Sequence, residues 1–186
     1  GPGNETGRDA LAGALKDHVE IDDGKRPSAN SICVFTPLGR DVTSCAVKAE
    51  VEGERSFGVD TLFGLEGRRT LMTSPVADTS LRDQMHAALA AGGNDVTIIH
   101  DSPGFVIQRT VAMVVNTACD IAQQRIAAPA DIDKAVRLGL GYPMGPLVMG
   151  DHAGPAKLLT ILEEMLDFYG DPRYRPSPWL KRRALL

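Results

Sequence analysis

The spacing of apolar and polar residues predicts short strands and helices over the first 100 residues. Helices are expected over residues 9–16 and 79–91, the second of which has apolar positions three or four apart and ends at Gly92-Gly93. Four segments have the length, apolar character or alternation of strands: residues 31–35, 44–51, 70–73 and 95–100. This part of the chain therefore predicts a small α/β sheet.

Beyond residue 100 the pattern becomes helical. Ser102 and Pro103 offer a capping hydroxyl and a proline suited to the first helical position, so a long helix is expected to begin there. Its apolar residues occupy nearly every face: Phe105, Val106, Ile107, Val111, Met113, Val114, Val115, Ala118, Ile121 and Ala122. A helix that is apolar all round has to be buried all round. We therefore expect this helix to pack against more than one small helical module.

Two further helices are marked by proline and glycine. Pro129 opens one, and Gly139 and Gly141 close it. Gly154-Pro155 opens the other, which ends at Gly170. The polar stretch from residue 22 to residue 27 predicts a loop.

Composition narrows the class of protein. An apolar fraction of 43% and a charged fraction of 24% are ordinary for globular proteins. The net charge of −4 and the dispersed basic residues predict no nucleic-acid partner. No apolar run is long enough to span a bilayer, so no membrane partner is expected. We interpret Cys33, Cys45 and Cys119 as reduced thiols of a cytoplasmic protein.

The start of the chain reads as a processing remnant. Gly1-Pro2-Gly3 resembles the residues left after protease removal of a tag. We expect residues 1–8 to be such a remnant or a disordered start.

Candidate chemistry is sparse. A dinucleotide site needs Gly-x-Gly-x-x-Gly between a strand and a helix, and the glycines from Gly139 to Gly145 follow a helix with different spacing, so they predict a helix-ending turn. The histidines have no metal-ligand spacing. Asp151-His152 is either a catalytic pair or a helix-end or surface pair. Lys157 and residues 181–183 either contact phosphates or form a solvated surface.

Three segments resemble one enzyme family. Asp101-Ser-Pro-Gly-Phe-Val-Ile-Gln-Arg109, residues 128–146 and residues 170–176 are similar to the C-terminal domain of 3-hydroxyacyl-CoA dehydrogenases. The resemblance implies a reduced Rossmann-like α/β unit over residues 9–100 and a helical C-terminal dehydrogenase domain over residues 101–186. That helical domain is expected to dimerise and to close the substrate cleft. The long bacterial form of phenylacetate catabolism is the most similar member.

The resemblance also implies where catalytic groups would lie. In this family a histidine and a glutamate act together on the substrate hydroxyl, and counting back from Asp101 puts their positions near Asp60 and Met72. We therefore predict no catalytic, cofactor-binding or metal-binding residue in this chain. Gln108 stands where the family has an asparagine near the substrate carbonyl. It is our one substrate-binding candidate, and the alternative is that it only packs or caps.

Two functions follow as hypotheses. In the first, the chain is the C-terminal part of an NAD-dependent enzyme that oxidises (S)-3-hydroxyacyl-CoA to 3-ketoacyl-CoA, with NAD and the acyl-CoA bound by the complete enzyme. The helical domain then forms a homodimer, or a pseudo-dimer with a second copy of itself. In the second hypothesis, the chain is a stand-alone, non-catalytic dimerisation or interaction module derived from the same family.

Overall fold

The chain divides after Phe105 into two compact units in the computed structural model, which describes residues 4–22, 24 and 26–186. Unit 1 ends at Phe105 and unit 2 begins at Val106. The division falls later than the expected one after residue 100, because Phe105 is fully buried against Val42 and Met72 of unit 1. An α/β unit followed by a helical unit confirms the predicted fold class.

Unit 1 is a four-stranded sheet with helices on both faces. Its helices and strands are α1 (Glu5–Leu15), β1 (Cys33–Phe35), α2 (Val42–Ala49), β2 (Ser56–Val59), β3 (Arg69–Thr73), α3 (Thr79–Ala90) and β4 (Val96–His100), with a 3-10 turn at Gly53–Arg55. The strand order is β1-β2-β3-β4. The outer pairs, β1 with β2 and β3 with β4, are parallel, and β2 is antiparallel to β3.

Strand alternation separates two cores in unit 1. One face of the sheet packs against α1 and α3 through Leu11, Leu15, Phe57, Val59, Leu65, Leu71, Met85 and Leu89. The other face buries Val42, Met72 and Phe105. Gly58 lies on this second face, where a Cβ would come within 2.9 Å of Val42 and 3.4 Å of Phe105. The absence of a side chain there lets α2 approach the sheet.

Two elements of unit 1 differ from expectation. The strand expected over residues 44–51 is wrong, because residues 44–49 lie in helix α2, where Asp41 caps the helix and Val42 and Ala46 bury one helical face. Strand β2 was not expected, since it has only four residues and contains a glycine. Of the expected remnant or disordered start, residues 1–3 lie outside the described residues and residues 5–8 are helical, with the Asn4 side chain accepting a bond from Gly7 N.

Unit 2 is helical. It comprises α4 (Val106–Gln123), α5 (Pro129–Leu140), α6 (Pro146–Ala153), α7 (Pro155–Tyr169), a 3-10 turn at Pro172–Tyr174 and α8 (Pro178–Leu185). One side of α4 packs against α6, α7 and α8. The fully buried apolar residues that helices α7 and α8 contribute to unit 2 include Leu158, Ile161, Leu162, Met165 and Leu180.

Small residues and one asparagine fix the packing around α4. A Cβ on Gly150 of α6 would lie 2.7 Å from Val115, so the two helices cross closely. The Asn116 amide donates to Arg175 O at 3.0 Å and accepts from Ser177 N at 2.7 Å. Ser177 in turn caps α8 by accepting from Leu180 N at 3.1 Å. Asn116 therefore joins α4 to the start of α8.

The start of α4 and two other helices differ from expectation. Helix α4 begins at Val106 and not near Ser102, because Gly104 has a positive φ of 69° that interrupts the helical conformation. Helices α6 and α8 were not expected, although Pro146 and Pro178 stand at their first positions. Within residues 4–22, 24 and 26–186, no helix combines the length and the apolar character that a bilayer-spanning segment needs.

Candidate functional site

The sheet of unit 1 brings together Asp60 and Met72, near which we expect the family's histidine and glutamate positions. Met72 pairs with Gly58 across β2 and β3, and Asp60 N donates to Thr70 O at 3.3 Å. Paired residues of antiparallel strands share a face, so Asp60 and Met72 are diagonal neighbours on one face of the sheet. Neither residue is a histidine or a glutamate.

The residues at these two positions serve the fold. Met72 is fully buried with Val42 and Phe105, and a thioether has no proton to exchange. Asp60 is 8% exposed, and its Oδ1 accepts a bond from Leu62 N at 3.0 Å. The carboxylate thus supports the turn after β2. Met72 has no carboxylate, so it cannot orient a neighbouring histidine or stabilise its protonated form as a glutamate would.

The N-terminus of α2 carries two carboxylates of the protein itself. Asp41 accepts from Ser44 N at 2.6 Å. Asp101 accepts from Val42 N at 2.7 Å and from Thr43 N at 3.0 Å. Helix N-termini of this kind bind phosphates through the same amide groups. With these amides satisfied and two negative charges present, this end of α2 disfavours the pyrophosphate of a dinucleotide.

The glycine cluster after α5 forms a helix-ending turn. Gly141 ends the helix with a left-handed φ of 68°. A Cβ on Gly145 would overlap the Asp133 side chain, which accepts from Leu147 N at 2.8 Å and so caps α6. These glycines accommodate neighbouring protein groups. The expectation of a turn in place of a nucleotide loop agrees with this geometry.

Gln108 lies in the first turn of α4 and is fully buried. Substrate contact needs an accessible amide, so the burial favours the packing interpretation. Its neighbour Arg109 connects α4 to α7. The Arg109 guanidinium lies 5.5 Å from the Tyr169 ring centre and donates to the Tyr169 hydroxyl at 2.9 Å.

The remaining charged candidates hold unit 2 together. Asp151 forms an ion pair with Arg183, whose guanidinium lies 5.2 Å from the Trp179 ring centre. Arg182 donates to Gln123 at 3.1 Å. Asp151 therefore joins α6 to α8 through Arg183, which favours a structural pair over catalysis with His152. Arg182 and Arg183, two of the basic residues considered for phosphate contact, are therefore bonded to side chains within unit 2.

The thiols show no sign of reactivity. All three are free, and burial raises the pKa of Cys33, Cys45 and Cys119. The pKa values of Cys45 and Cys119 rise to about 11. The neutral form therefore dominates near pH 7, and a neutral thiol is a poor nucleophile. Among the described residues, no group of three or more His, Cys, Asp or Glu side chains is arranged to hold a metal ion.

The outer side of α4 forms an apolar groove with α5. We call this surface the outer groove, and it is lined by Met113, Val114, Thr117, Ala118, Ile121, Ile132, Val136, Leu140, Tyr142 and Pro146. Its volume is about 290 Å³. The Thr110 and Thr117 hydroxyls donate to carbonyls one turn earlier on α4, Val106 O at 2.8 Å and Met113 O at 2.9 Å. The threonines therefore add satisfied polar groups to this side of the helix.

The sequence predicted the α4 side of the outer groove but not the α5 side. The apolar residues of α4 predicted a surface that needs a partner. The contribution of α5 was missed, although Ile132, Val136 and Leu140 recur every four residues and predict one apolar face.

Comparison with known proteins shows similarity to one enzyme family, strongest in the helical unit. Residues 104–185 match the family described as 3-hydroxyacyl-CoA dehydrogenase, C-terminal domain. The chain is 48% identical over 94 residues to 3-hydroxyadipyl-CoA dehydrogenase of Escherichia coli (strain K12), covering 50% of this chain and 20% of that protein. A 3-hydroxybutyryl-CoA dehydrogenase of Bradyrhizobium diazoefficiens is 32% identical over 172 residues, covering 87% and 59%.

The structural likeness reaches beyond the helical unit. A 3-hydroxybutyryl-CoA dehydrogenase structure from Escherichia coli K12 matches with a TM-score of 0.74 and 32% identity, covering 90% of this chain and 34% of the other. The chain thus spans only part of the length of these relatives. Over residues 104–185, this chain is similar to the C-terminal domain of 3-hydroxyacyl-CoA dehydrogenases.

Proposed function

We propose that this chain supplies the helical, cleft-closing and assembly part of a 3-hydroxyacyl-CoA dehydrogenase, and that catalysis uses a histidine outside this chain. The complete enzyme would oxidise (S)-3-hydroxyacyl-CoA to 3-ketoacyl-CoA with NAD in the cytoplasm. The observation that carries the proposal is Met72, which is buried on the sheet face where the dyad glutamate would stand.

The described residues do not fit NAD. The carboxylates of Asp41 and Asp101 occupy the amides at the N-terminus of α2. The glycines near residue 141 close α5 and accommodate Asp133. In our proposal the cofactor therefore binds to another part of the complete enzyme, and Gln108 is the residue of this chain that stays a candidate for the substrate.

The substrate of the complete enzyme is proposed from the relatives. The 48% identical relative is named for 3-hydroxyadipyl-CoA, and the 32% identical relatives for 3-hydroxybutyryl-CoA. Because the higher identity lies with the first, we propose a 3-hydroxyacyl-CoA of the 3-hydroxyadipyl type, as in phenylacetate catabolism.

A second copy of the helical domain is the proposed partner. The outer groove supports this, because Val136 and Leu140 face it from α5 and Ile121 faces it from α4. An apolar surface of this kind is stable in water when another apolar surface covers it. The partner copy would come from a second subunit or from a second helical domain of the same protein.

The alternative is a stand-alone interaction module with no enzyme attached. Two features of unit 1 favour this alternative equally: the buried Met72 and the N-terminus of α2, whose amides are bonded to carboxylates. Both argue against catalysis and cofactor binding by this chain, and neither affects the outer groove. The mass of the native gene product separates the two. A protein much longer than 186 residues supports the enzyme, and one of this length supports the module.

The direct test is NADH oxidation with acetoacetyl-CoA, comparing this chain with the full-length gene product at equal concentration. We expect turnover by the longer protein alone. Turnover by this chain would show that it contains a catalytic group, and would contradict the proposal. A full-length product without turnover of acetoacetyl-CoA or 3-oxoadipyl-CoA would favour the stand-alone module.

A further inference from the structure

The accessible side of α4 carries six residues whose spacing is symmetric about the middle of the helix. The gaps between successive positions are 4, 3, 1, 3 and 4 residues, so the spacing is the same from either end. At about 100° per residue, all six fall within about 100° of the helix circumference. We call this surface the α4 stripe, and it consists of Val106, Thr110, Met113, Val114, Thr117 and Ile121.

The α4 stripe lies opposite the face of the helix that packs into unit 2. Buried residues such as Val115 and Cys119 fall on the other side of the helix. In the stripe, Val106 is 68% exposed, Thr110 and Thr117 are exposed, and the remaining three residues are half-buried. The stripe is 16 residues, or about 24 Å, long, and it is accessible along this whole length.

The α4 stripe carries no charge. Every residue of α4 is described by the structure, and only two of them, Arg109 and Asp120, are charged. Arg109 donates to the Tyr169 hydroxyl and Asp120 pairs with Arg175 at 3.7 Å, so both are engaged by other segments of unit 2. The two threonine hydroxyls of the stripe are bonded to carbonyls of α4 itself. A partner that covers the stripe therefore desolvates no charge.

The two halves of the stripe offer different surfaces. The outer groove occupies the second half, where α5 supplies the other wall, and none of its lining residues precedes Met113. In the first half, Val106 and the adjacent Ile107, which is 45% exposed, are apolar side chains open to water. One half thus presents an apolar cavity of about 290 Å³, and the other presents apolar side chains that can cover it.

A surface with symmetric spacing is complementary to a second copy of itself when the two helices run antiparallel. We propose that α4 pairs antiparallel with α4 of a second copy of this chain, with the two-fold axis at the centre of the stripe. Val106 then faces Ile121 of the partner subunit, and Thr110 faces Thr117 of the partner subunit. The first half of each stripe covers the groove half of the other. This pairing rests on the assembly role proposed above and adds its surface, direction and register.

Cysteine cross-linking of the whole chain tests this register. Thr110 lies opposite Thr117 of the partner subunit, whereas the two copies of Thr110 are seven residues apart along the helix axis, or about 10 Å. A disulfide needs Cα atoms within about 7 Å of each other. Under mild oxidation, a mixture of the Thr110→Cys and Thr117→Cys variants should therefore form dimers on a non-reducing gel, and each variant alone should not.

Two controls measure background cross-linking. The wild-type chain reports on the native thiols, all of which are free. Val47→Cys places a thiol at a 74% exposed position of helix α2, and its mixture with Thr117→Cys reports on random collision. We expect at least about 10-fold more dimer from the Thr110→Cys and Thr117→Cys mixture than from either control, because a paired thiol has a high effective concentration. No excess, or an equal yield from Thr110→Cys alone, overturns the antiparallel pairing.

If oxidation unfolds the chain, a charge exchange decides without it. Thr110→Glu should weaken self-association at least about 10-fold in sedimentation velocity, and adding Thr117→Arg to the same chain should restore it, because the new charges face each other across the pair. A double variant that associates no better than Thr110→Glu overturns the register.

The failure of this pairing differs from the failure of the proposed function. Turnover of acetoacetyl-CoA by the full-length product, with no specific cross-link, overturns the pairing and leaves the enzyme. The specific cross-link, with a full-length product that has no turnover, supports the pairing and favours the stand-alone module.

Discussion

The two units of this protein differ in how they resemble one enzyme family. In unit 1, Asp60 and Met72 share one face of the sheet, and we expect the family's catalytic pair to fall near these two positions. Unit 2 matches the family over nearly its whole length and presents the apolar outer groove. A β-sheet stays folded after substitutions as long as its apolar and polar residues still alternate. A surface that binds a partner depends on its particular side chains. This difference supports our proposal that the chain contributes structure and a partner-binding surface.

The largest expected effect tests how strictly the core of unit 1 requires an apolar side chain at Met72. Met72→Glu places an ionisable group beside Val42 and Phe105 in a fully buried position. We expect the free energy of unfolding to fall by roughly 3 kcal/mol or more, measured by urea denaturation. Met72→Leu is the volume-matched control and should cost less than about 1.5 kcal/mol. Equal stability of the two variants would mean that the site still tolerates a carboxylate.

An intermediate effect compares one buried thiol from each unit. Burial raises the pKa of Cys45 in unit 1 and of Cys119 in unit 2 from 9.0 to about 11. Between these values the unfolded chain loses protons that the folded chain keeps, so stability present below pH 9 falls as pH rises toward 11. We expect a loss of roughly 2 kcal/mol from the fully buried Cys119.

The thiol prediction is checked by urea denaturation between pH 8 and pH 11. Cys119→Ala should reduce the alkaline decline, and Cys45→Ala should reduce it separately. A decline that is the same in both variants and in the wild type would assign it to other groups. If only one of the two substitutions reduces the decline of the unfolding free energy with pH, the unit that contains that thiol limits stability at high pH.

The smallest effect on folding concerns the outer groove. Val136→Glu puts a charge on its α5 wall, where the side chain is only half-buried. We expect the free energy of unfolding of the monomer to change by less than about 1 kcal/mol. Self-association, measured by sedimentation velocity, should weaken at least about 10-fold, because a charge would be desolvated at the contact.

Val47→Glu is the matched control for the groove. Val47 is a 74% exposed valine on helix α2 of unit 1 and does not line the groove. It should leave self-association at the wild-type level. Equal association of both variants would show that the outer groove is not the contact surface, and a wild-type chain that stays monomeric at high concentration would remove the proposed homodimer.

The order of elements was largely predictable, and the errors have local causes. Helices α1, α3, α5 and α7 and strands β1, β3 and β4 were expected from spacing and from glycine or proline signals. Residues 44–51 alternate like a strand, yet they form a helix because carboxylates from Asp41 and Asp101 cap its start. Asp101 lies far away in sequence, so a local pattern contains no trace of its contribution.

The site was less predictable than the fold. The sequence shows which residue types stand at the dyad positions, but a pairing register was needed to put Asp60 and Met72 on one face. The burial of Gln108 and the ion pair of Asp151 with Arg183 also required the packed helices. Side-chain partners distant in sequence cannot be read from spacing, because spacing reports only on the element that contains it.

By itself, the sequence determined the class of protein, the change from strands to helices and the absence of a dinucleotide motif, because these depend on local composition and periodicity. Only the tertiary structure decided where unit 1 ends, which face of α4 stays accessible and what holds the strand ends together. Phe105, the outer groove and the bonds from Asn4 to Thr36 and Thr61 each depend on groups brought together from separate segments. These contacts arise from tertiary packing, which optimises burial and hydrogen bonding over the whole chain at once.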